Sequence, residues 1–465
     1  MFASCIERCV ARRGRRRRGF VLLTAAAMVF LVLLPAIGLS VDVGVMYLVQ
    51  SRLSAASDAA SLAGARALAR GIDDTAQRTN AETTGDTYFY ANFPAGYFGT
   101  TNLHVHNVAA TDAAATRSIT STSSVQVPFL FMHALGLGHI TLTAMAKATR
   151  RDVNIMIVMD RSTSLAGVNC TALKAAAVNF VSKFAESRDY LGLITFATGS
   201  RVDVALTTTF KTTINTTLNN LVCDGYTNSS QALWQSYVAL AGQAQAGALN
   251  VILFFTDGLP TAITESFPIK AASPCATHTN KVGALTGMSS VQGLYRYAAP
   301  AQPLATDQAV LAPASCCTSC KFYPASLGSV GTDVWYAPLF DYWGNALNPA
   351  NAYRSVTTYN AGLSISTTQN VENFSTNATD NAALRIRSGA ADAQNGNRTL
   401  AGVTIFSIGL GAVDETLLKR VANDRSLTPN PVAAGHQGLY VYAANATELD
   451  QAFTRVASEM LRLAQ

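Results

Sequence analysis

The sequence predicts an α/β protein on a membrane helix. The expected order is one transmembrane segment, a small α+β module, then a doubly wound sheet domain with a long insertion. Three observations predict this. Residues 19–41 are 23 consecutive residues without a charge, directly after an arginine-rich start. From Asp152 onward, continuous apolar runs of strand length alternate with segments of helical period, the signature of a mostly parallel sheet covered on both faces. That rhythm breaks off over 262–378 and then resumes, which reads as an insertion because a structureless loop of this length is uncommon inside a domain.

The first element is set by charge. The chain has 465 residues and a formal charge of +6, but residues 1–18 hold seven arginines against one acid. The remaining 447 residues carry 27 bases and 27 acids, so the folded part is neutral. This argues against a nucleic-acid binder, which needs its basic patch on the folded domain. A hydrophobic content of 49% argues against wholesale disorder. A helix over 19–41 is long enough to cross a hydrocarbon core of about 30 Å at about 1.5 Å per residue. The flanking arginines should keep 1–18 cytoplasmic and place everything after Asp42 outside, with Pro35 tolerated as a kink. A cleaved secretory signal, a twin-arginine signal and a pilin-type leader cut after Gly19 are competing readings. The last usually keeps a Glu where this chain has Thr24.

Residues 42–71 continue as a helix of small residues. Between Ser54 and Ala67 seven of fourteen positions are Ala, with Gly64 among them, which suits either close helix contact or simple helix propensity. Residues 72–150 form the α+β module. Leu103–Val108, Ser118–Val127 and His139–Ala144 alternate as strands, and Val127–Gly136 reads as an apolar helical element. His104 and His106 share one strand face, read as an exposed polar surface rather than a metal pair.

The sheet domain is expected over 151–261 and 379–465. Its strands are Val153–Met159, Tyr190–Ala197, Arg201–Leu206, Asn250–Thr256, Val403–Gly409 and Gly438–Tyr442. Helices fall near 171–186, 211–221, 229–245, 380–393, 414–425 and 447–463.

The chemistry gathers where strands end. The first strand runs into Asp160-Arg-Ser162-Thr-Ser164, a D-x-S-x-S pattern. Ligands of doubly wound sheets bind beyond the carboxyl ends of strands. Asp160, Ser162 and Ser164 offer hard oxygen donors that suit Mg²⁺, Mn²⁺ or Ca²⁺ better than Zn²⁺. A later strand ends in Thr256-Asp257-Gly258, bringing Asp257 to the same edge, with Gly258 allowing a tight turn. Thr227, on the loop before a helix, adds a hydroxyl.

These three motifs in order resemble the von Willebrand factor type A domain, a Rossmann-like fold. The resemblance implies a metal-ion-dependent adhesion site. In it Ser162, Ser164 and Thr227 contact a divalent cation, Mg²⁺ foremost, Asp160 and Asp257 act through water, and an open position takes a partner's carboxylate. The tail agrees: Thr404–Gly411 and Tyr440–Phe453 resemble the last strands and closing helix of such domains. A second resemblance lies at the other end. Gly38-Leu-Ser-Val-Asp-Val-Gly-Val-Met-Tyr47, Asp58-Ala-Ala-Ser-Leu-Ala-Gly-Ala65 and the phrase Val127–Gly136 are similar to the TadE/TadG-like family of tight-adherence (Flp) pilus assembly. A membrane anchor with a von Willebrand domain is the TadG arrangement. It implies a bacterial envelope protein, single-pass in the inner membrane, with its C-terminal domain periplasmic.

Cysteines fit that topology. Cys5 and Cys9 are expected inside as free thiols. Cys170, Cys223, Cys275, Cys316, Cys317 and Cys320 lie outside, where disulfides form. A Cys170–Cys223 bridge would hold the Asp160 and Thr227 loops together. Cys275-x-x-His278 with Cys317-x-x-Cys320 has zinc-like spacing, but vicinal Cys316 and the compartment favour disulfides. The expected function is a metal-dependent binding or scaffold protein with a protein partner bearing an acidic side chain, not an enzyme. The alternatives are a secreted or pseudopilin-like adhesin released by cleavage and, as a minor reading, a metal-dependent hydrolase. No G-x-x-x-x-G-K-[ST] and no H-E-x-x-H occurs.

Overall fold

The computed structural model describes residues 21–68, 74–113, 115–243, 245, 247–266, 282–287, 294–296, 336–393 and 396–464. The arginine run, Cys5, Cys9, Cys275, His278, Cys316, Cys317 and Cys320 lie outside the described residues. The chain divides into two compact units, one drawn from residues up to 150 and one chiefly from 151–465.

The first unit is built on α1, a single helix over Val21–Ala67. Its apolar part is the candidate span. A π-helical stretch, Val29–Leu33, ends just before Pro35. Proline lacks an N–H and its ring crowds the carbonyl four residues back, so a widened turn there keeps the helix continuous. Beyond the span, Val49, Leu53, Ala56 and Ala60 pack with Phe89 and Phe93 and with Val125 and Val127. Phe89 belongs to α2 (Asp74–Asn92), and the two valines to β2 of a three-stranded sheet. The sheet is ordered β1 (Thr101–Ala113), β2 (Thr116–Pro128), β3 (His139–Arg151).

The small residues of α1 permit this contact. A Cβ on Gly64 would lie 2.4 Å from Ile119 Cδ1 and 2.9 Å from the Ala81 carbonyl oxygen. Asp42 is buried and accepts backbone N–H bonds from Leu130 (2.8 Å), Phe131 (3.1 Å) and Met132 (2.8 Å). The apolar segment 127–136, read as helical, is helical only as one 3₁₀ turn, Met132–Leu135. Its backbone donors go to Asp42 rather than into a longer helix. His104 and His106 are exposed.

The second unit is the sheet domain. β4 (Val153–Asp160) and β7 (Leu249–Thr256) are buried at every position, because helices cover both faces. With α3 (Val168–Ser182), β5 (Tyr190–Phe196), β6 (Ser200–Thr207), α4 (Lys211–Asn219) and α5 (Ser229–Gln243) they make the first half. The sheet order is β14-β13-β7-β4-β5-β6, with β13 at Thr404–Leu410 and β14 at Tyr440–Ala443. All neighbours are parallel except the edge pair β5–β6.

Alternation along β4 separates two cores. Ile155, Ile157 and Met159 pack with Leu173 and Phe180 of α3, Ile214 of α4 and Phe453 and Val456 of the last helix. Met156 and Val158 face Leu233, Trp234 and Tyr237 of α5 and Ile386 of the helix that follows the insertion.

The insertion adds β8 (Ala262–Ser266), β9 (Val282–Thr286), β10 (Leu294–Arg296), β11 (Thr358–Tyr359) and β12 (Gly362–Leu363). Ile263, Leu285, Leu347, Leu363, Ile365, Val371 and Phe374 form a small core of its own. It rests on α6 (Thr368–Arg387), which begins and ends earlier than the helix expected near 380–393. The reason is compositional. The apolar stripe of α6 is thin, Val371, Phe374, Ala378, Ala382 and Ile386, and beside it run Asn370, Asn373, Asn377 and Asn381, which hydrogen-bond the backbone of residues 346–364. Two further helices, α7 (Glu415–Ala422) and α8 (Leu449–Leu463), complete the unit.

Candidate functional site

The carboxyl ends of β4 and β7 lie side by side in parallel register, and β5 flanks β4 on its other edge. Asp160, the last residue of β4, is fully buried. Its Oδ1 accepts the Ser162 N–H at 2.8 Å, which tightens the turn. Its Oδ2 accepts the Thr256 hydroxyl at 2.6 Å. The loop then enters a 3₁₀ turn, Thr163–Leu165, which turns Ser164 outward. Ser164 Oγ donates to Asp257 Oδ1 at 2.7 Å and lies 3.1 Å from Ser162 Oγ. A hydroxyl has one proton. With the Ser164 proton on Asp257, the Ser162 hydroxyl is left to bridge to Ser164 or to the Asp160 carboxylate. Four of the five expected residues thus form one linked set, closed at Asp160 and open to solvent at Ser164.

Thr227 sits apart from that chain. Among the described residues, its hydroxyl makes no hydrogen bond to the other four. Its backbone is fixed instead: the N–H donates to Thr261 Oγ1 (3.0 Å), and the carbonyl accepts from the N–H groups of Thr261 (2.9 Å) and Ala262 (3.1 Å). Its loop is laced to the first one. Thr163 N–H donates to the Gly225 carbonyl (2.9 Å), and Asp224 N–H to the Arg161 carbonyl (2.7 Å). Cys170, in the first turn of α3, is disulfide-bonded to Cys223, just before this loop.

Electrostatics mark the set as one that favours a cation. Burial, and next the charge of Asp257, push the Asp160 carboxyl from 3.8 up to about 7. Burial also raises Asp257. Two acids raised by burial, Asp160 also by the charge of Asp257, with hydroxyls between them, fit a hard divalent ion. Among the described residues no group of three or more His, Cys, Asp or Glu is placed to hold a metal. An ion here would therefore rely on hydroxyl and water oxygens as well as the two carboxylates.

Two contributors were not singled out from the sequence. Thr256 fixes the carboxylate of Asp160; its signal is register, since the last residues of β4 and β7 fall next to each other. Thr163 ties the first loop to the second through Asp224 Oδ1 (3.2 Å) and the Gly225 carbonyl (3.0 Å). Gly258, expected to permit a tight turn, is not required for one. Its φ lies outside the left-handed region, and an added Cβ would meet open space.

A mostly parallel sheet with loops meeting at its switch point is a doubly wound α/β fold of the ligand-binding kind. The family model described as von Willebrand factor type A domain matches residues 155–259. At the other end, residues 19–67 match the model described as putative Flp pilus-assembly TadE/G-like. The chain therefore joins a TadE/G-like segment to a von Willebrand factor type A domain, the TadG-like combination.

None of the curated proteins compared matches this chain. Similar solved structures include a point mutant of the PilB minor pilin from Streptococcus sanguinis, 14% identical with a TM-score of 0.37, covering 78% of this chain and 79% of that one. The pilus adhesin SpaC from Lactobacillus rhamnosus GG is 12% identical with a TM-score of 0.37, over 80% of this chain and 37% of that one. The vWF domain of the type V pili tip protein Mfa5 from Porphyromonas gingivalis is 17% identical with a TM-score of 0.36, over 68% and 98%. Likeness at this level carries no function across.

Proposed function

We propose that this chain is a scaffold of Flp (tight-adherence) pilus assembly, held in the bacterial inner membrane by residues 19–41. Its N-terminus lies in the cytoplasm and its von Willebrand domain in the periplasm. Asp160, Ser162, Ser164, Thr227 and Asp257 hold a divalent cation, Mg²⁺, which when bound supplies a positive centre for an acidic side chain of a partner protein. Residues 42–71 continue the anchor, 72–150 form a separate module, and 262–378 is an insertion beside the cation edge.

The observation that supports this best is the linked set Asp160–Ser162–Ser164–Asp257 at the switch point.

The test is a pull-down from envelope extracts with the full chain as bait, with Mg²⁺ and with chelator. Asp160→Ala and Thr256→Val serve as variants. Partners should be lost with chelator, return when Mg²⁺ is restored, be lost in Asp160→Ala and be weakened in Thr256→Val. Partners held equally under all conditions would refute the cation bridge.

A further inference from the structure

We infer that the loop Phe129–Gly138 is a second membrane contact, dipping its apolar side chains into the outer edge of the bilayer that α1 crosses. The inference rests on α1 being a membrane anchor. It adds to that reading a surface that the span alone does not supply.

The position of the loop is fixed by α1. A Cβ on Gly38 would stand 2.7 Å from Phe131 Cβ and 2.9 Å from Phe131 Cγ, so the loop lies directly on the helix at that turn. One turn later Asp42 collects the N–H groups of Leu130, Phe131 and Met132. Hydrogen bonds to a carboxylate are among the stronger ones. From Val21, the first described residue of the helix, to Gly38–Asp42 is about 25–32 Å at about 1.5 Å per residue. That is about the thickness of a hydrocarbon core. The loop is therefore fastened where the span leaves the bilayer.

Its composition suits that level. Phe129–Gly138 reads Phe-Leu-Phe-Met-His-Ala-Leu-Gly-Leu-Gly, with no acid, Lys or Arg. Leu130 is 62% exposed, Phe131 54% and Leu137 47%, beside the exposed Leu34, Ile37 and Val41 of the helix. A soluble module rarely leaves such a group in water. Here the apolar surface of the loop continues that of the span, and the same occupant, lipid, covers both. Backbone polarity is not an obstacle. Asp42 takes three donors, Phe129 N–H goes to the Gly138 carbonyl and Leu137 N–H to that of Met132. The contact is placed at the interface, outside the hydrocarbon core where every backbone group would need an internal partner, so water reaches the groups that remain.

The test uses the full chain in vesicles of phosphatidylethanolamine and phosphatidylglycerol, with benzoylphenylalanine placed singly at Leu31, Leu62, Leu130 or Leu137. After irradiation, lipid adducts are measured by mass spectrometry. Leu62 is a matched control, 58% exposed on the same helix about 30 Å beyond Asp42. Lipid adducts at Leu31, Leu130 and Leu137, with at least tenfold less at Leu62, are expected. Adducts at Leu31 but none at Leu130 and Leu137 would overturn the loop contact and leave the anchor standing. No adduct at Leu31 would remove the anchor and the inference together. Crosslinks from Leu130 or Leu137 to a second copy or to another protein would replace lipid as the occupant, and lipid yields at Leu62 equal to those of the loop would show no localised contact.

Discussion

Replacing Asn377 by Ala should release the insertion from the sheet domain without unfolding that domain. Asn377 is fully buried on α6. Its carbonyl oxygen accepts the Arg354 N–H at 2.8 Å, and its amide donates to the carbonyls of Leu347 and Arg354, both at 2.9 Å. Each such bond contributes about 1 kcal/mol net, and stranding a buried partner costs about 1–3 kcal/mol. Arg354 is half-exposed, so water can take over part of its loss. The expected cost is about 2–3 kcal/mol, a roughly 30- to 150-fold rise in local opening. Hydrogen exchange of the full chain, followed by mass spectrometry over 346–364, reads this directly. Asn373→Ala is the control. Asn373 makes two exposed bonds, donating to the Ser355 carbonyl at 2.8 Å and accepting from Gln369 at 3.1 Å, and because water can replace both partners their loss should cost about 1 kcal/mol or less. Asn377→Asp should open the segment further than Ala, since a carboxylate keeps the Arg354 N–H but faces two carbonyls with no proton. Equal exchange in Asn377→Ala and Asn373→Ala would refute this reasoning.

Two further outcomes can be checked by equilibrium unfolding. Removing the Cys170–Cys223 bridge with paired Ala substitutions frees a loop spanning a separation of 53 residues, worth about 4 kcal/mol on the chain-entropy model. The urea midpoint of the sheet domain should fall accordingly, and an unchanged midpoint would contradict it. Glu265 of β8 is fully buried with neither carboxylate oxygen hydrogen-bonded among the described residues, and burial, then the charge of Asp341, raise it well above its ordinary value. Burial likewise carries Asp341 from 3.8 to about 6, against three hydrogen-bond donors. An acid raised on folding binds its proton more tightly in the native state. Its stabilisation is present at low pH and lost as pH rises from about 4 through 6 and, for Glu265, beyond. Glu265→Gln should flatten that decline and raise the Tm at about pH 8. A lower Tm in Glu265→Gln than in wild type at that pH would mean that the ionised carboxylate is stabilising.

Much of this was legible because the decisive signals are local. The continuous apolar runs at Ile155–Met159 and Val251–Phe255 can only be strands buried on both faces or short core helices, and their length and flanks decide for strands. Asp160, Ser162 and Ser164 declare themselves within five residues. Thr256 does not, because its role depends on lying beside Asp160 across the sheet, 96 residues away in sequence. The start of α6 was hidden for another reason. Val371, Phe374, Ala378, Ala382 and Ile386 keep a helical spacing, but buried Asn370, Ser375, Asn377 and Thr379 between them mask it in the sequence. The apolar stretch Val127–Gly136 misled in the opposite sense: it has the composition of a helix, but Asp42, distant in sequence, claims its N–H groups.

α1 also has a mechanical consequence. With 19–41 as the proposed anchor, the helix does not stop where that span ends; it runs to Ala67, about 38 Å beyond Asp42 at 1.5 Å per residue. With Phe89, Phe93 and β2 clamped along its outer half, it is a braced stalk rather than a tether. A tether would let the module wander over the membrane; a stalk holds it at one height and one azimuth. On the proposed anchoring, any tilt or rotation of the membrane end would be delivered as torque to the module, and load on the module would be carried back down the same helix.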